Sequence, residues 1–355
     1  MAAGPRLVDG APADYAAAMI RAPISLALTL ALLPEAALAQ AAPKPGATKT
    51  FGDWAVGCDN GLRCTMLSLT PEDAERGETS LRVMRDAGPA GGWRVTVQPD
   101  DERPRGLAID GRRVGGAQLD YRDSAAAAIV AALVDGRAMQ VLTPAGKTQS
   151  AISLKGASAA LRYIDAQQGR VGTRGAAVAK GAAPDTRVPV PPPLPVIVAP
   201  APDGVAARPT DAQIRQMQKI GQCDATDFGG DATPVPHAVG NGTTLIFVPC
   251  SSGAYNLSVA VFTLKGGRIA PARADVATGF GEGGAPSAPA SLVNADVTKG
   301  VINSYAKGRG VGDCGTSQSF VWDGTRLRLT EMAVMDECRG NTDLITTWRA
   351  TVRWR

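Results

Sequence analysis

The sequence predicts an α+β protein: two mainly antiparallel β domains with short packed helices, stabilised by disulfides. Three observations carry that expectation. Short apolar segments alternate with polar residues at a period of two, as half-buried strands do. A proline-rich stretch divides the chain near its middle. Six cysteines follow an export signal, in a compartment where disulfides persist.

The signal lies deep in the chain. Met19, Ile20 and Arg21 open a short positive region, and Ala27-Leu28-Thr29-Leu30-Ala31-Leu32-Leu33 supplies an apolar core. Ala37-Leu38-Ala39 places small residues at both recognition positions of a signal peptidase, so residues 1–39 read as a removed signal. Residues 1–18 read as a mis-started extension, because Met19 alone gives a signal of normal length. The apolar core is too short to span a bilayer, and Pro34-Glu35 interrupts it. No later segment offers roughly 20 uninterrupted apolar residues. The expectation is an exported, periplasmic protein of a Gram-negative bacterium, without stable membrane insertion.

The chain carries 37 Lys and Arg against 33 Asp and Glu, a net charge of +4. Removing the signal takes away Arg6 and Arg21 against Asp9, Asp14 and Glu35, which raises the net charge by one. The basic residues are scattered. Basic runs, zinc-finger spacing and aromatic-interleaved strands are all missing, so nucleic acid is not an expected partner.

Residues 45–180 read as an N-terminal β-rich domain. Phe51-Gly52-Asp53-Trp54 leads to Cys58, then the turn Asp59-Asn60-Gly61 leads to Cys64, a hairpin with a cysteine on each arm. Leu81-Arg82-Val83-Met84-Arg85 and Trp93-Arg94-Val95-Thr96-Val97 alternate as strands, and Met139-Gln140-Val141-Leu142 is a further short strand. The alanine-rich stretch 124–134 reads as a helix, as does the spacing of Ala157, Ala160, Leu161 and Ile164.

Residues 181–209 read as a linker. The run Pro189-Val190-Pro191-Pro192-Pro193-Leu194-Pro195 favours polyproline II, a stiff spacer, because each ring sets φ and removes a donor. Residues 210–355 then read as a C-terminal α+β domain. Thr210 and Gln213 have capping-box spacing, with Ile214 and Met217 on an apolar helix face. Strands follow at 244–248 and 255–262. Val297, Val301 and Tyr305 recur at helical spacing. Phe320-Val321-Trp322, Asp323-Gly324 and Leu327-Arg328-Leu329 form the clearest hairpin. Residues 279–289 form a low-complexity loop.

Six cysteines allow fifteen complete pairings. Proximity and the hairpin favour Cys58–Cys64. Keeping pairs within each half then favours Cys223–Cys250 and Cys314–Cys338. A four-thiolate metal site lacks the close ligand pairs of structural zinc, and no C-x-x-C supports a redox enzyme. Gly146-Lys147-Thr148 resembles the end of a phosphate loop, but Val141 stands where the first glycine belongs. Gly308, Gly310 and Gly312 approach a dinucleotide pattern, yet Cys314 follows at once and points to a pinned loop instead. Asp224, Asp227 and Asp231 do not fit the spacing of an EF-hand calcium loop. No metal, cofactor or catalytic set is assigned.

The glycine and cysteine segment Lys307-Gly308-Arg309-Gly310-Val311-Gly312-Asp313-Cys314-Gly315 is followed by Phe320-Val321-Trp322-Asp323-Gly324, Met335-Asp336-Glu337-Cys338-Arg339-Gly340 and Thr347-Trp348-Arg349. This combination resembles the exported bacterial proteins grouped as domain of unknown function 1176. Phe51-Gly52-Asp53-Trp54, Leu154-Lys155-Gly156 and Gln168-Gly169-Arg170 fit the same family. The tail Ile345-Thr346-Thr347-Trp348 departs from the Trp-Pro pair that the family often carries there. The N-terminal half also resembles invasion-associated locus B proteins, through its Trp-Cys start and Leu-Lys-Gly helix entrance. The resemblance implies a periplasmic protein and no particular reaction.

The functional expectation is a non-catalytic binding, scaffold or inhibitor protein whose partner is an envelope protein or a glycan. Lys307, Arg309, Arg339 and Trp348 form its candidate interaction surface. Arg309 and Arg339 suit a partner's carboxylate, or equally Asp313 or Asp336 within the chain. The alternative is a cell-envelope hydrolase acting on glycan or peptide. It would depend on His237, the sole histidine, in a surface loop, or on acids among Asp313, Asp323, Asp336 and Glu337.

Overall fold

Alternation builds the first sheet. In a computed structural model, residues 41–74, 79–98, 105–224, 226, 232–279 and 288–355 are described. The stretch 1–39 expected to be an export signal, Asp227, Asp231 and most of the loop 279–289 lie outside them. Strands Thr48–Phe51, Trp54–Cys58, Cys64–Ser68, Ser80–Arg85 and Trp93–Gln98 follow one another as an antiparallel meander, and Asp120–Arg122 closes its far edge. A second sheet orders Thr148–Ser153, Ala138–Leu142, Gly106–Ile109 and Arg112–Gly115.

Helices Asp123–Asp135 and Ala157–Gln167 bring Ile129, Leu133, Leu161 and Ile164 into one core. That core also holds Trp54, Val56, Leu81 and Val83 from the first sheet and Leu107 and Val141 from the second. Each such buried side chain contributes about 1.5–3 kcal/mol. Trp54–Cys58 is buried along its whole length, which is why it lacks polar alternation. Trp54 and Val56 face the helices. Ala55 points the other way and packs with Leu67, Leu69, Cys314, Met335 and Ile345.

The rest of the chain forms two further sheets. One orders Val235–Ala238, Thr243–Ser252, Leu257–Lys265 and Arg268–Pro271, with Ser291–Val293 also paired to Leu257–Lys265. The other orders Asp296–Thr298, Val301–Lys307, Gly315–Trp322, Leu327–Met335 and Ile345–Arg349. Leu245, Phe247, Val261 and Leu292 meet Ile302, Phe320, Trp322 and Leu329 between them, as in a sandwich. Helix Asp211–Gly221 covers the opposite face of the first of these sheets, seating Met217 on Ile246, Val248, Ala260 and Phe262. Its capping box is formed: the Thr210 hydroxyl accepts from the Gln213 amide, and the Gln213 side chain accepts from the Thr210 amide.

The fold is mostly antiparallel β, more so than the α+β expectation. Three α-helices stand among the described residues. The helical spacing of Val297, Val301 and Tyr305 is a coincidence of position. Thr298 pairs with Val301 across a two-residue turn, and Lys299 and Gly300 both take positive φ (51° and 79°), so the segment is a hairpin. The turn after Cys58 also differs in detail. Leu62, at φ 60°, is its left-handed residue, and the loop closes through the Asp59 amide donating to the Arg63 carbonyl.

Residues 42–355 form one compact unit. Within the proline-rich segment, Val196–Ala199 pairs in parallel with Thr351–Trp354 and packs on Val321. The seam between residues 45–180 and 210–355 is closed by polar groups on each side of the Ala55 cluster. Arg339 donates to the Asp53 carboxylate at 2.5 Å, to the Thr70 carbonyl at 2.8 Å and to the Gly52 carbonyl at 3.0 Å. Asp53 also accepts from the Ser153 hydroxyl at 2.7 Å. Arg349 reaches Asp59 at 2.5 Å, while the Asn60 side chain exchanges two hydrogen bonds with the Arg349 backbone. Thr48 donates to Asp336 and Thr50 to Glu337.

The Arg339–Asp53 pair is nearly dry, and removing one partner strands a buried charge. Arg339→Met is therefore expected to lower stability by about 3 kcal/mol, read as a lower urea midpoint. Asp53→Asn in the same background is expected to add less than it does alone, because both changes break one interaction.

Candidate functional site

The loop that carries Lys307 and Arg309 joins two antiparallel strands, with Lys307 opposite Gly315. It is pinned from several directions. Cys314 bonds to Cys338, and the Gly308 amide donates to the Cys314 carbonyl at 2.8 Å. The Tyr305 hydroxyl donates to the Gly312 carbonyl at 2.6 Å. A Cβ on Gly308 would lie 2.6 Å from the Cys314 sulfur, so the loop needs glycine there. Because it links strand to strand, it is not the strand-to-helix turn a dinucleotide requires. Gly146-Lys147-Thr148 likewise sits in a hairpin turn, between Ala138–Leu142 and Thr148–Ser153.

The four candidate surface residues do not converge on one face. Arg309 donates to Asp313 through two guanidinium nitrogens. That bond holds the Asp313 carboxyl below the usual carboxylate range, against the opposite pull of burial, with the Gly340 amide adding to it. Arg339 turns inward to Asp53 and not to Asp336. Trp348 lies against the sandwich core and donates its indole N–H to the Leu329 carbonyl at 3.2 Å. Lys307 holds the Asn256 side chain through its backbone, donating at 3.1 Å and accepting at 2.9 Å.

The cysteines pair as Cys58–Cys64, Cys223–Cys250 and Cys314–Cys338, the set that proximity within each half favours. The four thiolates weighed as a metal site are thus consumed in two of these bonds. Asp224 spends its carboxylate on the Thr226 amide and hydroxyl.

His237 lies in the edge strand Val235–Ala238 rather than a loop, half-buried with its ring 4.8 Å from that of Phe247. Burial pulls its pKa below the ordinary value. The acids named with it hold separate partners: Asp313 holds Arg309, Asp323 holds Thr325 and Arg328, Asp336 holds Thr48, and Glu337 holds Thr50.

Two features escaped the sequence. The first is a buried cluster around Asp165, which is fully inaccessible and accepts from the Ala177, Val178 and Ala179 amides. Arg85 lies beside it, stacked 4.4 Å over Trp93. Burial, then the neighbouring Arg170, lowers Arg85 to about 10. Arg170 itself donates to the Gly88 carbonyl at 2.6 Å and to Gln168 at 2.8 Å, so it braces the 86–91 turn. An acidic and a basic residue on otherwise apolar faces were the available signal.

The second feature is the turn 253–256. Asn294, at φ 47°, donates to the Tyr255 and Tyr305 carbonyls and to the Asn256 side chain, and accepts from the Leu257 amide. The Tyr255 hydroxyl donates to the Gly308 carbonyl at 3.2 Å. Tyr255 is thus fixed yet 39% exposed, and the loop that carries Val311, 46% exposed, meets its ring at Gly310. A groove of about 520 Å³ opens next to it.

The family described as "Protein of unknown function (DUF1176)" matches residues 48–354. The "Uncharacterized protein YpfG" of Escherichia coli (strain K12) is 28% identical over 351 residues, covering 89% of this chain and 94% of that protein. No solved structure matches. The resemblance to invasion-associated locus B proteins finds no support, since one family spans both halves.

Two expectations follow. Cys314→Ser and Cys338→Ser are each expected to lower stability by about 3–4 kcal/mol under oxidising conditions, with the double variant no worse than either, read by chemical denaturation. Because Cys314 packs with Ala55 and Leu67, the defect is expected to reach the seam as well as the loop. His237 has a lowered folded pKa, so below about pH 6.5 the unfolded chain binds the extra proton and stability falls with pH. His237→Phe is expected to remove that portion of the decline, measured as melting temperature from pH 7.5 to 5.

Proposed function

The chain belongs to the DUF1176 family of proteins of unknown function, and we propose that it is a non-catalytic binding protein of the cell envelope, exported to the periplasm. One observation carries this reading: Tyr255 and Val311 stand exposed on a surface held rigid from beneath. Gly310 connects them, since a Cβ there would lie 3.4 Å from the Tyr255 ring. Large apolar side chains grouped at a surface mark interaction sites. A surface fixed before binding loses less entropy when a partner docks. Here the Asn256–Asn294 network and the Cys314–Cys338 bond supply that rigidity.

The charges beside the patch fit the same reading. Arg309 is held by Asp313, which leaves Lys307 to steer an approaching partner. The three disulfides suit an oxidising compartment. Among the described residues no helix is long and apolar enough to cross a membrane.

The test is site-specific photo-crosslinking in cells. A photoreactive residue at Val311 is expected to give a reproducible adduct, and the same residue at Val205, which is 95% exposed, is expected not to. Identical adduct patterns at the two positions, or none at either, would overturn the reading.

A further inference from the structure

We propose that the groove beside Tyr255 is a binding site for a neutral oligosaccharide; this rests on the binding reading above and names its ligand class. The floor of the groove follows from strand register. Ser258 stands opposite Ser251 on one neighbouring strand and Val293 on the other, and Ala260 stands opposite Ser291. Residues two apart on a strand share a face, and directly opposed residues share it too. Ser251, Ser258, Ser291 and Val293 therefore occupy the sheet face that carries Ala260 and Phe262 beneath helix Asp211–Gly221. The helix covers the apolar end of that face. The hydroxyl-bearing end is left as the groove, with Tyr255 and Asn256 at its rim.

The lining selects the ligand. Among the described residues no charged side chain lines the groove, which disfavours an ionic ligand. The Ser251 and Ser258 hydroxyls lie 2.7 Å apart and Ser258 also donates to the Ser251 carbonyl at 3.3 Å, so each keeps acceptor capacity for a ligand hydroxyl, since a hydroxyl donates once and accepts twice. Ser291 commits its backbone amide to the Thr278 hydroxyl, and its side chain remains at the surface. Paired hydroxyls match the vicinal hydroxyls of a pyranose. An exposed aromatic ring matches its apolar C–H face. A peptide strand would instead need unpaired backbone at a sheet edge. The floor here is the face of Leu257–Lys265, whose two edges are paired to Thr243–Ser252 and Ser291–Val293 along this stretch. The volume of about 520 Å³ falls in the range of small-ligand clefts, about 300–1,000 Å³.

The rim is built to hold its shape. The Asn256 side chain is bonded to the Lys307 backbone, Asn294 holds the Tyr255 carbonyl, and the Tyr255 hydroxyl is anchored on Gly308. These amides are spent inside the protein, so recognition falls to the serines and the aromatic ring.

The experiment is a titration of the full exported protein, followed by NMR, with three neutral tetrasaccharides and one anionic one. The neutral probes are β-1,4-linked N-acetylglucosamine, β-1,4-linked glucose and α-1,4-linked glucose; the anionic probe is α-1,4-linked galacturonate. At least one neutral probe is expected to bind saturably. Tyr255→Ala is expected to weaken that binding about tenfold. Tyr255→Phe keeps the ring and is expected to stay within about twofold of wild type. Ser291→Val, which touches no part of the Asn294 clamp, is expected to weaken it about fivefold. Saturable binding by no neutral probe, binding by the anionic probe alone, or neutral binding unmoved by both Tyr255→Ala and Ser291→Val would overturn the proposal. If the sugar fails while the Val311 adduct persists, the binding reading stands without this ligand. If both fail, both fall.

Discussion

A half-buried guanidinium paired with a buried carboxylate between two sheets organises this molecule. Arg339 reaches Asp53, Thr70 and Gly52 at once, and Asp53 hands the connection on to Ser153. Three segments distant in sequence meet at one carboxylate. A charge in so dry a place is tolerated only when its hydrogen bonds are met. The geometry of the seam is therefore set by polar groups, while the apolar cluster of Ala55, Leu67, Met335 and Ile345 supplies contact without direction. Asp59, Asn60 and Arg349 repeat the device further along, with a side-chain amide standing in for a strand partner.

The residues that identify the family are largely occupied by such structural work. Gly156 follows the Leu-Lys pair and takes φ 95°, where a Cβ would lie 1.8 Å from the Phe51 carbonyl oxygen. Its helix can dock beside Phe51-Gly52-Asp53-Trp54 only because no side chain intervenes. Gln168 and Arg170 fasten the carbonyls of the neighbouring hairpins. The glycines of 308–315 admit a disulfide, and that disulfide keeps the loop close to the seam. The unassigned surface lies one step away, where Tyr255 touches this loop from outside.

Much of the fold was legible because its signals are local. Two-residue alternation marked Ser80–Arg85 and Trp93–Gln98, alanine spacing marked both N-terminal helices, and the Thr210–Gln213 box marked the third. The segment around Val301 gives no local sign of its hairpin, because Lys299 takes a positive φ that lysine rarely signals. The prolines flanking His237 suggest a loop, but an edge strand tolerates proline on its unpaired side, and His237 lies in one. The groove was invisible, since Ser251, Ser258 and Ser291 are unremarkable until three strands set them on one face.

The sequence by itself determined the β-rich character and the capping of the third helix, because each depends on neighbours close along the chain; among fifteen cysteine pairings it only favoured the set that the structure forms. The tertiary structure decided which arginine meets which acid: Arg309 took the nearby Asp313, whereas Arg339 crossed to Asp53, 286 positions away. It also decided that Tyr255 stays exposed beside a hydroxyl-lined face. A charge or a hydroxyl carries no record of its distant partner. Packing alone brings the two within reach and removes the water that would otherwise satisfy them.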